Sequence, residues 1–155
     1  MGVTEASTLE IWRTKASGFV PPHDIECRDG QVAVLEYPAR PSSAPKARTA
    51  VRGFLQSCEI RLERIAEILT AAGEAVANSI EHAYDPRLSG PMVVGLYCCP
   101  THHRIVVEVR DQGRMQSRAE PPSGRGFGTL IIRALASQVS VDTTQGTSVM
   151  MLFRN

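Results

Sequence analysis

The sequence is poor in the features that mark membrane, secreted and nucleic-acid-binding proteins. No apolar stretch approaches the roughly 20 residues of a transmembrane helix, and residues 1–13 lack the charged-then-apolar pattern of a signal peptide. The formal net charge is only +1 and no basic block stands out, so nothing electrostatic favours a nucleic-acid partner. Aromatic residues make up only 5%, so the core must rely on Ile, Leu, Val and Ala. We therefore expect a cytoplasmic protein without direct membrane or nucleic-acid contacts.

Cysteine is also sparse, with four residues at positions 27, 58, 98 and 99. This set is not typical of a disulfide framework. If Cys98 and Cys99 lie on a strand, their side chains point to opposite faces. The run Cys-Cys-Pro-Thr-His-His at 98–103 contains metal-ligand types, but no second ligand pair occurs elsewhere at finger-like spacing. A strand entering a polar turn is therefore favoured over a metal site.

The chain of 155 residues suits one domain with one hydrophobic core. Residues 1–30 show no clear periodicity and are interpreted as an N-terminal extension, with the folded domain over residues 31–155. Apolar periodicity and turn residues predict the order β, α, α, β, β, loop, α, β, β. The predicted strands are 31–37, 92–99, 104–110, 139–143 and 147–153. The first predicted helix ends near residue 56, and the other two span about residues 60–83 and 127–137. This order predicts a two-layer α/β (α+β) sandwich, with a mixed β-sheet and helices on one face.

The longest predicted helix carries two polar residues that are one turn apart. Glu74 and Asn78 are expected about 5–6 Å apart at Cβ, where a carboxylate can accept a proton and an amide oxygen can bind Mg²⁺. Ala71 and Ala75 border the pair and leave room for a ligand. Glutamates also recur every seven residues, as on a solvated face, and the helix alone favours that interpretation. The predicted apolar stripe on the other side is Leu62, Ile65, Leu69, Ala72, Val76, Ile80 and Ala83.

Three later segments combine glycine with polar residues. Asp111 follows a predicted strand and Gly113 allows a sharp turn, so the carboxylate can accept from an amine such as that of adenine; an Asx turn explains the pair equally well. The run Gly-Arg-Gly-Phe-Gly at 124–128 precedes a helix, where backbone N–H groups can contact phosphate and Arg125 can add a bidentate contact. A flexible linker is the alternative, and neither a Rossmann nor a Walker A motif fits the spacing. Gly146-Thr147 lies in a predicted turn.

In this order, the four segments resemble the motifs of the GHKL (Bergerat-fold) ATP-binding superfamily. The run from Glu74 to Tyr84 resembles its N box, Asp111-x-Gly113 its adenine-contacting box, residues 124–128 its glycine box and Gly146-Thr147 its last short box. The ending Glu-His-Ala-Tyr and the run Gly-Arg-Gly-Phe-Gly-x-Leu-Ile-Ile-Arg are similar to the anti-sigma-factor serine-protein kinases of that superfamily. The resemblance covers about residues 31–153.

The resemblance implies ATP and Mg²⁺ as ligands, and it implies a role for each matching residue. Glu74 is implied as the general base for an attacking serine hydroxyl, and Asn78 as a Mg²⁺ ligand. Asp111 is implied to bind the adenine amine with help from Thr147. The full implied nucleotide-binding set is Asn78, Asp111, Gly113, Gly124, Arg125, Gly126, Gly128 and Thr147.

The function implied by the resemblance is that of an ATP-dependent serine-protein kinase and anti-sigma factor. Such a protein sequesters a sigma factor and phosphorylates a small antagonist protein, and the resemblance further implies a homodimer. One alternative is a non-catalytic nucleotide-binding module that binds protein partners without phosphoryl transfer. A detached sensor-kinase ATPase domain is disfavoured, because no dimerisation helix with a phospho-accepting histidine precedes the domain.

Overall fold

Five strands pair into one sheet and three helices cover it in this computed structural model, which describes residues 27, 29–113 and 127–155. The predicted order of elements is confirmed, with bounds that differ by at most about three residues from those expected. In chain order the elements are β1 (Gln31–Pro38), α1 (Ser43–Ser57), α2 (Leu62–His82), β2 (Pro91–Cys99), β3 (Arg104–Asp111), α3 (Gly128–Leu135), β4 (Gln138–Asp142) and β5 (Thr147–Arg154).

The strands lie in the order β1-β2-β3-β5-β4, and every described pair is antiparallel. The two-layer α+β class is thus confirmed, but the prediction of a mixed sheet is wrong. The helices α1 and α2 lie between β1 and β2 in the chain, and β2 pairs antiparallel with β1. The strand β4 does run parallel to β3, but β5 lies between them.

The two faces of the sheet have different surroundings. On the inner face, alternate residues of β2, β3 and β5 pack against the helices, as the period of two in a strand requires. Cys98 belongs to this inner cluster and Cys99 to a smaller apolar cluster on the outer face, which confirms their predicted opposite orientations. The fully buried inner residues of the sheet include Met92, Val94, Leu96, Ile105, Val107, Met151 and Phe153.

The predicted apolar stripe of α2 is buried or partly buried except at its first residue, and the buried surface extends beyond it. Leu62 is 73% exposed, because it is the first residue of the helix and lies beyond the buried part. Ala71 and Ala75, expected to border a ligand, are instead buried in the core at 0% and 2% exposure. The helix is covered by α1, by α3 and by the sheet, so its buried surface is wider than one stripe. Among the described residues, no helix is both long and apolar enough to span a bilayer.

Cys27 and Cys99 form a disulfide with 6.0 Å between their Cα atoms, a single cross-link that the sequence analysis did not identify. The register of β1 on β2 explains the encounter. Gln31 pairs with Cys98, so the residues just before β1 lie beside the end of β2. The two cysteines are 72 residues apart, and only the strand register brings them together.

Candidate functional site

Asp111, the last residue of β3, is the centre of the candidate site. Its side chain is only 3% exposed and is held by three hydrogen bonds. The Ser79 hydroxyl donates to Oδ2 at 2.6 Å, whereas the backbone N–H groups of Gly113 and Thr147 donate to Oδ1 at 3.1 and 3.3 Å. No lysine or arginine among the described residues forms an ion pair with it. A carboxylate offers about four lone pairs, so one remains on Oδ2 for a further donor.

Two glycines let the backbone close tightly around Asp111. A Cβ at Gly113 would lie 1.9 Å from the carbonyl oxygen of Ala83, at the end of α2. Gly146 has φ +84°, and its Cβ would lie 2.1 Å from the carbonyl oxygen of Asp111. Any larger residue would push β3 away from α2 or from the β4–β5 turn. Glycine at both positions is therefore required by close backbone approach.

Polar residues of α2 extend the candidate site from Asp111 toward α3. Glu74 and Asn78 are half-buried, and Asn78 directly precedes Ser79, the donor to Asp111. A Cβ at Gly128, the first residue of α3, would lie 2.8 Å from Glu74 Oε2 and 3.7 Å from Asn78 Nδ2. The glycine thus permits Glu74 to lie against the N-terminus of α3, where the helix dipole favours a negative charge. The pair is therefore partly covered by α3 and partly open to solvent.

Tyr84 fixes the segment that follows Asp111. Its hydroxyl donates to the carbonyl oxygen of Pro91 at 2.6 Å and accepts from the backbone N–H of Gln112 at 2.8 Å. A Cβ at Gly90 would lie 2.2 Å from the Tyr84 ring, so the ring packs directly on that glycine. Burial raises the pKa of Tyr84 above its ordinary value, so the hydroxyl stays a donor further into the alkaline range than a free tyrosine does.

The structure brings together most of the predicted site residues. Asn78 lies beside the Glu74–Gly128 contact and directly precedes Ser79, which donates a hydrogen bond to Asp111. Thr147 takes part through its backbone N–H. The remaining predicted residues, Gly124, Arg125 and Gly126, lie outside the described residues.

Sequence reasoning missed Ser79 and Tyr84. Both fall inside the run that resembles the N box, directly after Asn78 and at the end of the motif. Their hydroxyl groups were the available signal, since a hydroxyl facing a core needs a partner. The sequence does not show which residue is that partner. For Ser79 it is Asp111, 32 residues away.

The arrangement suits a ligand with an amine at one end and an anionic group at the other. The free lone pair of Asp111 accepts an N–H donor such as an exocyclic amine. The N-terminus of α3 offers backbone N–H groups to phosphate, and the Asn78 amide oxygen can bind a hard cation. A nucleoside phosphate with a divalent cation fits these groups.

Three comparisons with known proteins agree with this geometry. A model of the histidine kinase-like ATPase domain matches residues 37–153. The chain is 25% identical over 130 residues to the serine-protein kinase RsbW of Oceanobacillus iheyensis, covering 76% of this chain and 82% of that protein. It is 27% identical over 135 residues to the anti-sigma F factor of Clostridium novyi, covering 79% and 93% respectively.

The fold also has a solved counterpart in the RsbU and RsbW domains of a Mycobacterium tuberculosis protein. The TM-score is 0.64 at 23% identity, and the match covers 80% of this chain but only 32% of that one. The four-motif resemblance noted in the sequence is confirmed at the level of the family. With a family match that spans three quarters of its length, this chain belongs to the histidine kinase-like ATPase domain family.

Proposed function

We propose that this chain binds Mg·ATP and transfers the γ-phosphoryl group to a serine of a small antagonist protein, and that it sequesters a sigma factor which competes with that antagonist. The relatives named serine-protein kinase and anti-sigma F factor support this proposal. We further propose that it acts in the cytoplasm as a homodimer, with residues 31–155 as the catalytic domain. The observation that carries the proposal is the buried Asp111 carboxylate, which is held by Ser79 of α2, while Glu74 and Asn78 of the same helix lie beside Gly128 of α3.

In this proposal Asp111 selects adenine. Its Oδ1 is occupied by two backbone N–H groups, so its orientation is fixed. Oδ2 keeps one free lone pair beside the Ser79 hydroxyl, and this lone pair accepts from the adenine amine. The rigidity of the carboxylate favours binding, because little side-chain freedom is lost when the nucleotide arrives.

At the other end of the site, Glu74 acts as the general base and Asn78 as the cation ligand. The Glu74 carboxylate lies against the N-terminus of α3, near the position of Gly128, and accepts the proton of the attacking serine hydroxyl. The Asn78 amide oxygen lies one turn further along α2 and holds Mg²⁺. The cation, when bound, neutralises charge on the phosphate oxygens during transfer. Gly124, Arg125 and Gly126 are proposed to contact the phosphates.

The proposal is tested by replacing the base without changing its shape. Glu74→Gln keeps the side-chain volume but cannot accept the proton, so transfer of labelled phosphate to a cognate antagonist should fall roughly 10²–10⁴-fold. Nucleotide affinity and the thermal midpoint should stay near those of the wild type. Glu81→Gln is the matched control, because Glu81 lies two turns further along α2 and is exposed. A Glu74→Gln protein that transfers phosphate at the wild-type rate would remove Glu74 as the base.

The Mg²⁺ assignment has a separate test. Asn78→Ala should weaken nucleotide binding in the presence of Mg²⁺ and have little effect in the presence of a chelator, because only the cation contact is removed. Equal Mg²⁺ dependence in Asn78→Ala and the wild type would exclude Asn78 as a ligand.

The alternative function, a non-catalytic binding module, predicts a different result: the wild type binds nucleotide but transfers no phosphate.

A further inference from the structure

A second cluster of reactive side chains lies at the opposite end of the sheet from Asp111. The ligand atoms of Cys27, Cys99 and His102 all lie within 4.8 Å of one another. Cys99 Sγ is 3.0 Å from His102 Nδ1 across the β2–β3 turn. The strand β3 separates this turn from Asp111 by seven residue steps, roughly 23 Å. The cluster is therefore independent of the proposed nucleotide site.

A carboxylate joins the cluster from the segment before β1. Asp29 Oδ1 lies 3.0 Å from Cys27 Sγ and accepts a hydrogen bond from the Thr101 hydroxyl at 2.8 Å. In the disulfide, the sulfur of Cys27 carries no proton, so this sulfur and the carboxylate oxygen face each other as two acceptors. After reduction, the Cys27 thiolate and the Asp29 carboxylate become two neighbouring anionic ligands, an arrangement that a bound cation stabilises.

The cluster also supplies what the sequence lacked for a metal site. The sequence offered Cys99-x-x-His102 without a second ligand pair. The fold places Cys27-x-Asp29 beside it, through the pairing of β1 with β2. Two sulfurs, an imidazole nitrogen and a carboxylate oxygen form a ligand set suited to Zn²⁺.

We propose that Cys27, Cys99, His102 and Asp29 bind one Zn²⁺ ion after a dithiol reductant has given two electrons and two protons to the Cys27–Cys99 disulfide, which yields two cysteine thiols and the oxidised dithiol. Zinc–ligand distances of about 2.0–2.3 Å place neighbouring ligand atoms roughly 3.3–3.8 Å apart. The sulfur–nitrogen and sulfur–oxygen contacts are already 3.0 Å, and once the disulfide is broken, side-chain rotation separates the two sulfurs to the spacing that the metal needs. Each thiol releases one proton as it binds the metal. Because the disulfide offers no thiolate, the zinc form and the disulfide form exclude each other.

Zinc at this position fastens the chain just before β1 to the β2–β3 turn. In the oxidised form the disulfide makes the same connection. Reduced, metal-free protein keeps neither link. The metal therefore acts on the anchoring of the N-terminal segment and not on phosphoryl transfer, so the proposal stands or fails separately from the kinase function.

The test uses the full chain, reduced with a phosphine in metal-free buffer without oxygen and then titrated with Co²⁺ as a spectroscopic probe. We expect one equivalent to bind with thiolate charge-transfer bands and the intense visible bands of tetrahedral cobalt, and Zn²⁺ to displace it. His102→Ala should weaken binding at least about tenfold, and Thr101→Val about tenfold, because it frees the Asp29 carboxylate. His103→Ala is the matched control and should bind as the wild type does, since His103 is a neighbouring exposed histidine outside the cluster.

Thiol variants and oxidation complete the test. Cys27→Ser should lose the tetrahedral spectrum, whereas Cys58→Ala should keep it, because Cys58 is a buried free cysteine outside the cluster. Protein oxidised with hydrogen peroxide should not bind: two thiols and one peroxide yield the disulfide and two water molecules. The proposal is overturned if cobalt stays octahedral, if Cys27→Ser keeps the wild-type spectrum, if His102→Ala binds as tightly as His103→Ala, or if oxidised protein binds equally well.

Discussion

Replacing Asp111 with asparagine tests the proposed adenine contact with a change of one atom. The backbone N–H groups of Gly113 and Thr147 both point at Oδ1, so the asparagine oxygen must occupy that position. Its NH₂ group then occupies the position of Oδ2. The Ser79 hydroxyl, which donates to Oδ2 in the wild type, can rotate and accept instead. The fold keeps its hydrogen bonds, but the free lone pair becomes an N–H donor.

The expected magnitudes follow from that exchange. The hydrogen bonds at Oδ1 lose the carboxylate charge, so the free energy of unfolding should fall by no more than about 2 kcal/mol. Adenine would meet a donor facing its own amine, and both groups would lack an acceptor. Leaving such groups unpaired costs about 2–3 kcal/mol, which corresponds to roughly 30- to 150-fold weaker binding of ATP.

Inosine triphosphate sharpens the assay because it has a carbonyl oxygen where ATP has the amine. Titration calorimetry should show that the wild type prefers ATP and that Asp111→Asn prefers the inosine nucleotide. Asp142→Asn is the control. Asp142 is an exposed aspartate whose Oδ1 accepts from the backbone N–H of Thr144, so its replacement should leave both affinities unchanged.

Two results would refute this reasoning. If Asp111→Asn binds ATP as tightly as the wild type, the carboxylate does not contact the amine. If Asp111→Asn weakens the binding of both nucleotides equally while the thermal midpoint stays constant, Asp111 contributes to the pocket but does not recognise the base.

The remaining predictions concern stability and are checked by thermal or denaturant unfolding. Gly146→Ala should lower the free energy of unfolding by more than about 2 kcal/mol, because it combines φ +84° with a Cβ 2.1 Å from the Asp111 carbonyl oxygen; a midpoint equal to that of the wild type would contradict it. Gly53→Ala should raise the free energy by about 0.5–1 kcal/mol, since Gly53 lies inside α1 with nothing within 4 Å of its Cβ position; a loss of stability would contradict that. Tyr84→Phe should lower it by about 1–3 kcal/mol, because the Pro91 carbonyl and the Gln112 N–H both lose their partner, and an unchanged midpoint would show that water replaces the hydroxyl.

Local patterns predicted the helices and strands well, because hydrophobic periodicity and turn-forming residues depend only on positions that are close in the sequence. Glu74, Asn78 and Gly128 were each chosen from short motifs, and the structure brings them together. The errors concern long-range pairing. Ala71 looked like a border of the site only because the sequence does not show which faces of α2 are covered.

The disulfide was missed for the same reason. Cys27 meets Cys99 through the register of two strands, and no spacing rule reports a register between strands separated by two helices. A prediction about a pair of residues far apart requires the topology first.

The hydrogen bonds of Asp111 have a consequence for how the domain is completed. Ser79 reaches it from 32 residues upstream and Thr147 from 36 residues downstream. Since β5 is also the strand between β3 and β4, the Asp111 site is complete only when β5 has been inserted into the sheet. A ligand that contacts Asp111 would therefore report that the helix layer and the centre of the sheet have both formed.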